Sequence, residues 1–375
     1  MTPFNKPYLT GKEAHYLYQA VYSGKLSGNG IFTEKCQHFF EEHYHFQKCL
    51  LTSSCTDALE MAALLLDIKP GDEVIVPSYT FVSTALAFVR QGATIVFADS
   101  QLNHPNLDTS KLEALITKKT KAIVPVHYAG VACDMDTIMS LAKKYNLAVV
   151  EDAAQGIASA YKGKPLGGIG DFGCFSFHET KNIISGEGGL FIINDPSYKT
   201  RAEIIWEKGT NRAEFFRGHV NKYGWVDTGS SFLPSELTAS FLYAQLENID
   251  AIQTKRKWLW EQYFTGLKAL ENQGKIRLPI IPDYATNNGH MFYITCASLE
   301  ERTALVSFLK ENNVMAVFHY LSLHSSQYYA SKHDGRDLPN SDRFSNTLLR
   351  LPMFYELSGE ELNRIVAIID TFYSR

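Results

Sequence analysis

The sequence has no two cysteines in C-x-x-C spacing, and only six in 375 residues, at Cys36, Cys49, Cys55, Cys133, Cys174 and Cys296. Scattered in this way they suggest neither a zinc cluster nor a disulfide framework, so no metal is expected and a reducing cytoplasm suits the chain. It also lacks a basic excess. Lys+Arg 36 against Asp+Glu 40 leaves a net charge of -4, which supplies no field for nucleic acid or for anionic lipid. No apolar run approaches the roughly 18 residues of a membrane span, and the opening MTPFNKPYLTGKEAHYLYQ lacks the apolar core of a signal peptide. Neither a membrane partner nor export is expected. Internal repeats and low-complexity segments are missing too, and with 45% hydrophobic and 20% charged residues the chain is far from the composition of disordered proteins.

What is present is an alternation. From residue 48, KCLLTS, DEVIVPS, ATIVFAD, KAIVPVH and LAVVED are short, β-branched apolar runs, and TDALEMAALLLDI, TFVSTALAFVRQG, DTSKLEALITKK and DMDTIMSLAKKYN between them have helical spacing. Strands joined by crossover helices give an α/β fold with a mostly parallel central sheet covered by helices on both faces. After Asp152 the pattern changes to short strands with glycine turns, GDFGCFSFHETK and GEGGLFIIND. One or two long helices are expected over 235–272, then a smaller α+β region, with 325–342 as a polar surface excursion. The expected division is 1–245 for a large domain with its N-terminal segment, and 246–375 for a connecting helix and a small C-terminal domain.

Three places carry candidate chemistry. In TSSCTDAL, Thr52 to Leu59, a strand ends and a helix begins in capping residues, and a helix N-terminus with unpaired amides favours a phosphate. In EDAAQ, Asp152 stands at a strand end, where α/β sheets present ligand sites, and Gln155 follows three residues later. In FSFHETKN, Lys181 lies between two short strands ahead of GEGG. A lone lysine is ordinarily a solvated charge, and its conjunction with a phosphate cradle and a strand-end carboxylate is what singles it out. The G-x-G-x-x-G of Gly168, Gly170 and Gly173 leads into the strand CFSF rather than opening a helix after a first strand, so it is not read as a dinucleotide fingerprint.

The three motifs in this order resemble the pyridoxal phosphate-dependent sugar-nucleotide aminotransferases of fold type I. SGKLSGNG, PSYTFVSTALA, GGIGDFG, the HY segment and RLPMFY extend the resemblance over essentially the whole chain. KGTNR, GSSFLPSELTA, HMFYI and MAVFHYLSLH are similar to the branch that aminates C4 of dTDP-4-keto-6-deoxyglucose with glutamate as donor.

The resemblance implies pyridoxal 5'-phosphate as cofactor, a nucleotide sugar and glutamate as substrates, and a homodimer with shared active sites. Lys181 matches the lysine that links to the cofactor and moves the proton, and Asp152 the carboxylate beside the ring nitrogen. Gln155 matches the residue near the phenolic oxygen, and Phe81 the aromatic on the outer ring face. The amides of Cys55, Thr56 and Asp57 with the Ser176 hydroxyl match the phosphate cradle, although relatives commonly have Gly-Thr or Ala-Thr at Cys55-Thr56. Ser231 in GSSF stands where many relatives bring an Asn from the second subunit. Asn29, His290, His319 and Tyr320 fall on segments matched to sugar-nucleotide binding. Sugar 3-dehydratases on this scaffold have histidine at the Lys181 position, so Lys181 argues against that chemistry. Amination at C3, the other C4 epimer, and a non-catalytic cofactor-binding regulator are the alternatives.

Overall fold

The computed structural model describes every residue from Met1 to Arg375. Its first nine strands are β1 (Cys49–Thr52), β2 (Glu73–Pro77), β3 (Thr94–Ala98), β4 (Thr120–Ile123), β5 (Ala148–Asp152), the hairpin β6 (Ala160–Tyr161) and β7 (Lys164–Pro165), β8 (Phe172–Ser176) and β9 (Gly189–Ile193). Seven of these form one sheet in the order β1-β9-β8-β5-β4-β2-β3. Only β9 runs against its neighbours, pairing antiparallel with β1 and β8, while the remaining pairs are parallel. Successive strand residues face opposite sides, and here both sides are buried. Leu51, Ile75, Ile123 and Val149 pack on one face, Leu50, Val74, Val76 and Val150 on the other. That two-sided burial is why the strands read as unbroken apolar runs.

Beyond residue 200, helices Glu236–Leu246 and Ile249–Asn272 divide the long helical run in two. A second sheet of β10 (Phe292–Thr295), β11 (Val317–Phe318) and β12 (Leu348–Leu351) has the order β10-β12-β11 and is antiparallel. It shares a separate core, including Leu259, Tyr263, Phe292, Leu309, Leu349 and Ile365, with the helices Ile249–Asn272, Leu299–Glu311 and Gly359–Tyr373.

Two expected elements turn out differently. DTSKLEALITKK forms only the single turns Thr109–Lys111 and Glu113–Leu115. Of its apolar side chains Leu112 alone is fully buried, too little contact to hold a longer helix. The segment 325–342 is not a simple surface excursion. Tyr329 and Leu338 are buried, the Tyr329 hydroxyl accepts from the Ile95 amide at 2.6 Å, and Ser341 donates from N and Oγ to Asp99.

The glycines of GGIGDFG have a structural reason. The buried Glu151 carboxylate accepts the amides of Gly167, Ile169 and Gly170 at 2.6–2.9 Å and pairs with His127 at 2.9 Å. A Cβ on Gly170 would lie 2.7 Å from the Val149 carbonyl oxygen, so the turn closes tightly under β5 only with glycine there. A similar device seats the SGNG loop. Glu236, 1% exposed, accepts from the amides of Gly30, Phe32 and Thr33 at 2.7–3.1 Å, satisfying the N-terminus of helix Ile31–His43, which has no side-chain cap of its own.

Candidate active site

β1 ends at Thr52, and helix Cys55–Leu65 starts three residues later with Ser54 as its N-cap. The Ser54 hydroxyl accepts the Asp57 amide at 3.1 Å. This departs from the expected cradle: the Asp57 N–H is spent inside the cap, and the amides of Cys55 and Thr56 are the two left without a protein partner. Gly189, at the start of β9, makes the turn possible, because a Cβ there would sit 2.6 Å from the Cys55 nitrogen. The glycine serves close approach of backbone to backbone. The Asp57 carboxyl lies beside this turn, its pKa pushed up to about 6 by burial and then by Glu60.

At the end of β5, Asp152 is 5% exposed. Its Oδ2 accepts from Thr84 Oγ1 at 2.7 Å and Oδ1 from the Ala154 amide at 3.2 Å. Burial raises its pKa, while Thr84, the Ala154 amide, Lys181 and His127 all favour the charged form. Thr84 belongs to helix Val82–Val89, which follows β2, and is itself linked to Thr80 Oγ1 at 2.9 Å.

Lys181 stands in the loop between β8 and β9, which doubles back through bonds from the Ser185 amide to the Phe177 carbonyl and from the Glu179 amide to the Gly186 carbonyl. Its ammonium has no hydrogen bond and no carboxylate paired with it. Burial lowers its pKa, partly offset by Cys55 and Asp152, with Arg350 lowering it further.

The opposite wall comes from the small sheet and its loops. His319 Nδ1 is 2.8 Å from the Tyr128 hydroxyl, and its ring stacks on Tyr320 at 3.5 Å between centroids. Tyr320, at a left-handed φ of 50°, follows the two-residue strand Val317–Phe318 and turns its hydroxyl to accept from Gln155 Nε2 at 3.1 Å. Gln155 Oε1 accepts the Ala129 amide at 2.6 Å. His290 Nδ1 lies 2.8 Å from Asn182 Oδ1. Burial holds both histidines well below the usual imidazole range, and Lys181 and Arg350 add to it. Both rings are neutral at pH 7, able to donate and accept.

These elements enclose one cavity of about 1130 Å³. Cys55, Thr56, Asp57, Phe81, Asp152 and Gln155 line it, with Ser176, Lys181, His290, His319 and Tyr320. Asn29 and Ser231 do not. Asn29 Nδ2 donates to Glu207 Oε1 at 3.3 Å, and Ser231 bridges to Glu207, so the two lie together on the surface outside their own chain's cavity. Thr84 and Arg350 also line it and were not singled out in the sequence. Thr84 sits in a helix opening after a strand end, and Arg350 is the one cation in the apolar run LLRLP; those were the available signals.

The unpaired lysine carries a stability cost with a definite pH dependence. Its native pKa is depressed below the unfolded value of about 10.4. The cost is therefore fully present below the lowered pKa and fades as pH rises through it toward the unfolded value. Lys181→Met should raise the melting temperature of the cofactor-free protein by about 2 °C near pH 7, with the gap closing as pH reaches the unfolded value of about 10.4. Calorimetry at the two pH values measures this, and a Met variant less stable than wild type at neutral pH would contradict the uncompensated charge.

Residues 7–370 match the DegT/DnrJ/EryC1/StrS aminotransferase family. The GDP-perosamine synthase of Escherichia coli O157:H7 is 33% identical over 373 residues, covering 99% of this chain and 98% of that protein. The spore coat polysaccharide biosynthesis protein SpsC of Bacillus subtilis is 30% identical over 379 residues, covering 98% and 96%. Among solved structures, the sugar aminotransferase Spr1654 of Streptococcus pneumoniae in its PMP form superposes with a TM-score of 0.91 at 27% identity over 99% of both chains, and its PLP form with 0.90. DesV of S. venezuelae gives 0.91 at 28% identity over 100% of this chain and 99% of that one. Family, fold and cavity agree: the chain belongs to the DegT/DnrJ/EryC1/StrS aminotransferase family and is a pyridoxal phosphate-dependent sugar aminotransferase.

Proposed function

We propose that the enzyme moves the amino group of glutamate to C4 of dTDP-4-keto-6-deoxyglucose, forming dTDP-4-amino-4,6-dideoxygalactose. The observation that carries the reading is the gathering of an unpaired, half-buried lysine, a buried strand-end carboxylate and a helix N-terminus with two idle amides in one cavity, faced by two neutral histidines. The C4 regiochemistry rests on KGTNR, GSSFLPSELTA, HMFYI and MAVFHYLSLH.

The donor set fits pyridoxal phosphate. The amides of Cys55 and Thr56, the helix dipole and the Ser176 hydroxyl take the phosphate dianion. Asp152 takes the ring nitrogen, Gln155 the phenolic side and Phe81 the outer ring face. When bound, the cofactor supplies an aldehyde that accepts an amine and a ring that holds the electron pair left when a Cα–H bond breaks. Asp152 keeps the ring nitrogen protonated, and a cation there offsets the burial that otherwise favours its neutral acid. Lys181 would hold the cofactor through its amine, and the same amine would be the base that lifts the donor's α-proton and returns a proton on the acceptor side. Both tasks need a neutral amine, which desolvation makes more accessible. His290, His319 and Tyr320 orient the sugar through its hydroxyls.

Incubation with dTDP-4-keto-6-deoxyglucose and glutamate, followed by NMR of the product, tests the reading. An equatorial amine at C4, or amination at C3, would replace it with one of its neighbours, and no aminosugar from any ketosugar would remove it.

We also propose a homodimer whose partner supplies the Ser231 and Asn29 surface to each cavity. Trp225 is 84% exposed and Phe216 70% on the same excursion that leads to Ser231, and Phe81 is exposed at the cavity mouth, apolar area suited to a two-fold contact. Subunits carrying Lys181→Ala and subunits carrying Ser231→Trp, each inactive alone, should regain activity on mixing, since one site of each hybrid is free of both changes. A monomer in ultracentrifugation, or stable mixed dimers without recovery, would contradict a shared site.

A further inference from the structure

Arg350 stands in β12, between β10 and β11, and lines the cavity. A guanidinium has five N–H donors, and in this one a single terminal N–H has a protein acceptor, the Phe318 carbonyl at 3.3 Å. Its Nε is buried with no partner at all. No carboxylate pairs with it; the side chains that act on its charge are Tyr128, Tyr320 and Tyr79, and the Phe4 ring is 4.6 Å away. Arg256, on the same cavity, is different. Its Nε and terminal amino donate to the carbonyls of Gly289 and His290 at 3.0 and 2.6 Å, so its donors hold a loop in place. Arg350 holds almost nothing. A half-buried cation with idle donors and a buried, unpartnered Nε is unfavourable unless a ligand brings the anion, and its planar fork matches a carboxylate in particular.

We propose that Arg350 binds the α-carboxylate of the amino donor. The assignment rests on the reading of the cavity as one that takes an amino acid as donor. Two substrates of that reaction are anionic, and position separates them. The donor's α-carboxylate is on the same carbon as the amine that must reach the cofactor, and Arg350 lies within Coulomb reach of Lys181. The diphosphate of the sugar nucleotide is attached to C1, across the ring from C4, and is carried away from the reacting atoms. Arg350 therefore selects α-amino acids over simple amines, and its β12 position gives the small sheet a direct hold on the donor.

The test uses the holoenzyme and compares L-glutamate with 4-aminobutyrate, which has the amine and the distal carboxylate but no α-carboxylate. Arg350→Met should lower kcat/KM for glutamate in the donor half-reaction by roughly 10- to 100-fold, leave 4-aminobutyrate, as substrate or competitive inhibitor, within about 3-fold, and leave the Kd of the nucleotide sugar unchanged. Arg350→Lys keeps the charge without the fork and should show a smaller loss on glutamate alone. As a readout independent of turnover, calorimetry should show glutarate binding to wild type and binding at least about 10-fold weaker to Arg350→Met.

Equal losses for glutamate and 4-aminobutyrate would make Arg350 merely structural. Weakened nucleotide-sugar binding with intact glutamate kinetics would make it a phosphate holder. Either overturns the proposal. If Arg350→Met does not fold, Arg350→Lys decides by the same comparison. Wild type that aminates no ketosugar but loses glutarate affinity with Arg350 would instead remove the functional reading and keep the carboxylate site.

Discussion

A carboxylate at the end of β5, almost wholly out of water, is the constraint on which the cavity depends. Burial alone pushes Asp152 toward its neutral acid, and three separate elements oppose that shift. Helix Val82–Val89 brings the Thr84 hydroxyl, the turn after β5 brings the Ala154 amide, and the β8–β9 loop brings the Lys181 charge. They follow β2, β5 itself and β8, all strands of the parallel set, so the sheet is what brings them to one end. Lys181 is held by the same balance in the opposite sense. Burial disfavours its charge, Asp152 favours it, and the amine stays unpaired. Two groups of opposite charge, neither fully satisfied by the protein, leave room for a ligand that satisfies both.

The cavity also joins the two sheets. Its floor is built from the ends of β1, β5 and β8, and its roof from β12 and the His319-Tyr320 bend. Tyr320 links them, since its hydroxyl accepts from Gln155 on the floor. His319 is tied to Tyr128 from the loop after β4, so the roof is positioned by bonds from the large sheet. Neutral imidazoles there avoid adding charge next to Lys181 and Arg350, which suits polyhydroxyl recognition better than further cations would.

Much of this was legible in the sequence because α/β sheets place ligands at strand ends. TSSCTDAL, EDAAQ and FSFHETKN each sit at such an end, and the structure brings all three to one cavity. What the sequence hid is what depends on side chains meeting across elements. The Asp57 amide cannot be distinguished from its neighbours until the Ser54 rotamer is known. Thr84 looks like any helix residue until β5 is seen to end beneath it. The glycines of GGIGDFG suggest a nucleotide loop when read as a string, while their actual partner is Glu151, sixteen or more residues upstream. Asn29 and Ser231 converge on Glu207, a proximity that no local pattern encodes.

The central claim is that the strand-end carboxylate acts on the cofactor's ring nitrogen rather than capping a loop. Asp152→Asn tests it most directly, with cofactor titration and single-turnover rates measured on the same preparation. The amide is isosteric, so the phosphate cradle and Lys181 should still retain pyridoxal phosphate, while the rate falls by about 100-fold or more, the scale of losing a preorganised electrostatic partner. A variant that binds the cofactor and turns over like wild type would show that Asp152 only caps the loop.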